Sequence, residues 1–130
     1  MKVKLLVAAS AALLPAMLYP AAASAQSMNA ETFHQRATRL MAKGPMALFS
    51  RGEIKTLMKE GQASGQAAGT RNKADKAAGR PTRFCAPAGP QKMGSDEYMK
   101  RLAAIPRTER AQIDMTEATT RIMASKFPCR

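Results

Sequence analysis

Few side chains in this sequence could take part in a reaction, and their spacing argues against one. His34 is the single histidine, and Cys85 and Cys129 are the two cysteines. A Ser-His-Asp or Cys-His centre would have to recruit His34, yet no G-x-S-x-G, H-E-x-x-H, G-x-x-x-x-G-K-S/T or G-x-G-x-x-G motif accompanies it. Zinc needs more ligands than two cysteines and one distant histidine supply. Asp96 and Glu97 are neighbours, so on a helix they point apart; they suit the positive first turn of a helix better than acid/base work. The methionines recur at helical intervals and read as adaptable core side chains rather than as a copper site. The expectation is a protein that is not an enzyme, with no catalytic residue, no metal and no cofactor.

What the two cysteines do depends on where the chain resides. Met1-Lys2-Val3-Lys4 is a short basic start, Leu5 to Leu18 is an apolar run, and Ala23-Ser24-Ala25 has the small-residue cleavage pattern. Together they read as a secretory signal peptide over residues 1–25. A retained membrane anchor is the alternative, because no charge occurs from Leu5 to Ala30. Pro15, Pro20 and the weakly apolar second half of the stretch weigh against it. Cleavage after Ala25 leaves 105 of the 130 residues, Gln26 to Arg130, in the periplasm. Thiols oxidise there, so Cys85 and Cys129 are expected to pair. Such a bridge closes a loop of 45 residues. In the chain-entropy view that closure stabilises the fold by about 4 kcal/mol.

Charge is the second strong signal. Lys and Arg number 21 against 9 Asp and Glu, a formal net charge of +12, which falls to +10 once Lys2 and Lys4 leave with the leader. The excess is concentrated in Arg71, Lys73, Lys76, Arg80 and Arg83, against Asp75 alone. Clustered cations attract phosphates, so nucleic acid is one reading. The stretch has no interleaved aromatic residue before Phe84 and no recognisable binding motif, and the export signal removes it from cytoplasmic nucleic acid. A solvated helix face near anionic envelope components, or a docking surface for an acidic protein, fits better.

Elements that could position these groups follow from the apolar pattern. The processed chain has four Phe, four Leu, four Ile and no Val. Frequent Ala, Met, Lys, Arg and Gln disfavour strands and favour helices. Asn29 can cap a first helix carrying Phe33, Ala37, Leu40 and Met41 on one face, ended by Gly44-Pro45. Ser50-Arg51-Gly52-Glu53 has the capping-box arrangement for a second helix, with Ile54, Leu57 and Met58 as its buried start. Gly61, Gly65 and Gly69 then recur every four residues. Such a stripe either admits a neighbouring backbone or weakens the helix. Gly79-Arg80-Pro81 ends that element. Ser95 is expected to cap a third helix with Tyr98, Leu102 and Ile105 on one face, stopped at Pro106. Asp114 and Glu117 form a second capping box for a fourth helix whose Ala118, Ile122 and Met123 face the core. The expected fold is all-α: a small four-helix domain with one disulfide behind a signal peptide. Residues 26–84 hold the N-terminal helices and basic segment, and residues 85–130 a disulfide-closed helical pair.

The C-terminal half carries a pattern beyond its helices. It comprises C-x-P-x-G at Cys85-Ala86-Pro87-Ala88-Gly89, a helix stopped at Ile105-Pro106, an amphipathic helix, and Phe127-Pro128-Cys129 at the end. This pattern resembles the Rap/Tai-type immunity proteins of type VI secretion systems. The resemblance implies a small periplasmic helical protein that binds and blocks a peptidoglycan amidase effector. Residues 26–84 have no counterpart in it, and Ala86 stands where a bulkier apolar residue is common. A stand-alone envelope accessory protein, binding anionic partners through Arg71, Lys73, Lys76, Arg80 and Arg83, is the alternative function. For contact with a protein partner the loop Ala86–Gly94 is expected, led by Lys92 and Met93. No specific nucleic acid and no stable membrane insertion after leader cleavage are expected, and a homodimer is left open.

Overall fold

A computed structural model describes residues 27–130. The signal peptide read over residues 1–25, and its cleavage site, lie outside the described residues. Six helical pieces follow in order: α1 (Ala30–Ala42), a 3-10 helix (Gly44–Ser50), α2 (Arg51–Ala77), α3 (Ser95–Ala104), α4 (Arg107–Arg110) and α5 (Met115–Lys126). The described residues form no strand, and Asn29 and Asp114 share one isolated bridge. The all-α expectation holds, and α1, α2, α3 and α5 are the four helices it anticipated. The 3-10 helix and the four-residue α4 are additions. Among the described residues no helix is long and apolar enough to cross a membrane.

Local chemistry fixes several helix ends as their sequence implies. The Asn29 side chain accepts from the backbone N–H groups of Glu31 and Thr32 and donates to the carbonyls of Ala111 and Ile113. One residue therefore caps α1 and ties it to the segment entering α5. Asp114 accepts from the Glu117 N–H at the start of α5, and Asp96 and Glu97 occupy the first turn of α3. Two expected caps do not form. Ser50 makes no cap to α2, because the 3-10 helix runs straight into α2; its hydroxyl accepts from Lys43, and Glu53 pairs with Arg36 instead. Gly94 rather than Ser95 is the N-cap residue of α3.

The core gathers Ala30, Phe33, Ala37, Leu57, Leu102, Ile105, Met115, Ala118 and Ile122, with Leu102 and Met115 wholly enclosed. At its centre is α5, packed on α1, α2 and α3 and buried at Thr116, Thr119 and Thr120 besides its apolar positions. Threonine is tolerated there because its hydroxyl finds a partner: Thr120 donates to the Thr116 carbonyl, and Thr119 lies 2.7 Å from the Tyr98 hydroxyl. The most extensive packing of α5 is against α2, not within the C-terminal pair. The seam on α2 is Leu57, Ser64 and Ala68, whose small members let α5 lie close. The glycine stripe does not serve this purpose. A Cβ at Gly61, Gly65 or Gly69 would meet nothing within 4 Å. Ile54 is half-buried and Met58 is exposed, so Leu57 alone makes the buried start expected of all three.

Candidate functional site

The cysteines meet as expected. Cys85 and Cys129 are joined at 1.99 Å, with their Cα atoms 4.9 Å apart, and the Cys85 N–H donates to the Phe127 carbonyl. Around the bridge, the end of α2 is stitched to the loop that follows. Gly79, at a φ of +68° open to glycine at little strain, turns the chain back. Asn72 then accepts from the Arg83 N–H at 2.9 Å and donates to the Phe84 carbonyl at 2.9 Å, which seats the buried Phe84 ring.

This stitching divides the five cations of the basic segment. Arg80 pairs with Asp75, and Arg83 grips Glu117 of α5 through two hydrogen bonds of 2.9 and 3.1 Å. That contact raises the affinity of Arg83 for its proton and, with help from Arg121, holds the Glu117 carboxyl below the usual carboxylate range. Arg71 lies roughly 160° around the helix from Lys73 at 3.6 residues per turn, so the segment is not one basic face. Lys73 and Lys76 remain, exposed, along a cleft of 930 Å³ between α2 and the loop Pro81–Pro90. Of the expected loop contacts, Lys92 is exposed, while its carbonyl accepts from Lys126. Met93, two residues before α3, is half-buried: it packs against the core and lines the groove described next.

A second concavity was not anticipated. Between α1, α2, α3 and α5 lies an open groove of 570 Å³. Met41, Met58, Met93, Met99 and Met123 line it, and no charged residue does. Phe33 and Tyr98 meet edge to face at its base, ring centres 6.3 Å apart, and burial pushes the Tyr98 hydroxyl above its ordinary pKa. The sequence signal for this groove was Met41 and Met58, each assigned to an inward face that the fold leaves half open.

The charged cluster around Arg110 is structural. Arg110 is buried and donates to Glu31 at 2.8 Å and to the carbonyls of Ile105 and Ala103 at the end of α3. Its hydrogen bond is the main reason that the Glu31 carboxyl sits below its usual range. His34 stands beside this pair, half-buried, and burial followed by the Arg110 charge pushes its imidazole below the ordinary value. No group of three or more metal-ligating side chains occurs among the described residues. Comparison with family models, curated proteins and solved structures finds no match for the chain.

Proposed function

We propose that this is an immunity-type binding protein of the periplasm that blocks a peptidoglycan amidase effector by covering its active site. The observation that carries the reading is the uncharged, methionine-lined groove. A chain so poor in large apolar side chains leaves Met41 and Met58 open to solvent along it. Methionine adapts its shape to a docking partner, and such grooves serve protein recognition. The C-x-P-x-G and Phe-Pro-Cys patterns of residues 85–129, closed by the disulfide, support the immunity assignment. The test is calorimetric titration against an amidase effector encoded beside this gene, with residual amidase activity read in parallel. Met41→Glu and Met58→Glu should each weaken binding by about a hundredfold by placing an unpaired charge in the interface. Absence of binding to that effector removes the immunity reading, and tight binding that ignores both substitutions removes the groove from it.

A second reading rests on Lys73 and Lys76, which open onto the cleft with no ion-pair partner among the described residues. In it the protein is an envelope accessory factor that binds an anionic partner there. Binding to a soluble anionic glycan that falls steeply with salt and vanishes in a Lys73→Glu/Lys76→Glu variant supports it; binding that survives both excludes it.

A further inference from the structure

The corner between α1 and α2 presents three large apolar side chains to solvent within four residues. Met46 is 63% exposed, Leu48 66% and Phe49 83%. This is not a loose loop. Gly44 takes a φ of +53° to make the turn, the Met46 N–H donates to the Lys43 carbonyl, and Lys43 Nζ donates to the Ser50 hydroxyl at 2.9 Å. The 3-10 helix packs against α1 and α2 with Ala47 and Ser50 half-buried and Met46, Leu48 and Phe49 exposed.

Charge around this corner has one sign. From Thr32 to Lys59 the chain carries six basic residues and a single acid, Glu53. Arg36 neutralises that acid through hydrogen bonds of 2.7 and 2.6 Å. Arg39, Lys43, Arg51, Lys55 and Lys59 are left, all exposed and with no ion-pair partner among the described residues. An ordered apolar tip set among cations matches one kind of surface closely. Apolar side chains enter the acyl boundary of a bilayer while the cations meet anionic headgroups. A second copy of this chain would bring the same cations against each other.

We propose that the Met46–Phe49 corner docks the protein on an anionic bilayer surface, with Leu48 and Phe49 inserted and Arg39, Lys43, Arg51 and Lys55 on the headgroups. The inference stands apart from the groove and from any effector. Its test is cosedimentation of the chain from Gln26 onward, which excludes the apolar run Leu5 to Leu18 from the readout. The probes are phosphatidylcholine vesicles with and without phosphatidylglycerol. The protein should sediment with the anionic vesicles and stay in solution with the neutral ones. A Leu48→Ser/Phe49→Ser variant should partition about thirtyfold more weakly, and an Arg51→Gln/Lys55→Gln variant weaker by a similar factor. Both keep their helical circular dichroism, since the altered side chains are exposed. Equal binding to neutral vesicles overturns the proposal, as does binding unaffected by the loss of Leu48 and Phe49. So does failure to sediment with the anionic vesicles, and self-association through this corner in the ultracentrifuge would then assign it to a second copy of the chain.

Discussion

The two ends of α2 handle exposed side chains in opposite ways. At its C-terminal end, Asn72, Arg80 and Arg83 are each engaged, the chain turns back at Gly79, and the disulfide closes the region. At its N-terminal end the chain turns through the 3-10 helix and leaves Leu48 and Phe49 in water, touching little else. Burial and pairing at one end hold the fold together. Exposure at the other contributes nothing to it and is available for binding. Two cations of the basic segment, Arg80 and Arg83, are thus structural while Lys73 and Lys76 stay free, and the inconspicuous Gly-Pro-Met-Ala-Leu-Phe corner is a further exposed surface.

Substitutions at the two ends should therefore separate stability from binding. The largest effect belongs to the bridge. Replacing both Cys85 and Cys129 by Ala should lower unfolding free energy by about 4 kcal/mol, read as a lower urea midpoint that matches the reduced wild type. Next comes Asn72→Ala, which strips a backbone donor and acceptor of their partner and should cost about 2 kcal/mol by the same measurement. If Asn72→Ala is neutral, the stitched description of this end fails.

Arg83→Gln should cost less, under about 1 kcal/mol, because the pair with Glu117 is half-exposed and solvent screens it. Acid probes the same contact. The folded-state pKa of Glu117 is depressed, so its stabilisation is present above the ordinary carboxylate value of 4.5 and lost as pH falls through the folded value. The wild type should lose stability on acidification over that range, and Arg83→Gln should lose less. His34 adds a step at higher pH. Its folded pKa is lowered, so the unfolded chain takes up the proton first and stability declines as pH drops below about 6.5. Replacement by Asn should flatten that part of the profile. Smallest of all, Phe49→Ser should leave the unfolding free energy within about 0.5 kcal/mol of wild type. A large destabilisation there would mean that the corner is a folding element, and the contrast between the ends of α2 would collapse.

Much of this was legible from residue types and short spacings. Asn29 and Asp114 cap helices because a side-chain oxygen two or three residues before free N–H groups acts locally. The cysteine pairing follows from count together with the expectation of export. Ser50-x-x-Glu53 misled, because the chain reaches α2 already helical and Arg36 competes for Glu53. Met93, expected in an exposed loop, is half-buried because a loop position next to a helix start can be pulled inward by the helix that follows, yet it still lines the groove. The groove was hidden for a related reason: periodicity identifies a helix face as apolar but does not say whether a neighbour covers it.

Residue types and short spacings are enough to set the helices, the capped starts of α1 and α5 and a covalent closure, since these depend on interactions between residues near in the chain or on chemistry with one available partner. Packing is what makes α5 central, sets Arg83 against Glu117 and Arg110 against Glu31, and leaves Phe49 in water. Those outcomes depend on how helices far apart in sequence share a limited amount of apolar surface. That allocation is a property of the packed whole and is written in no single segment.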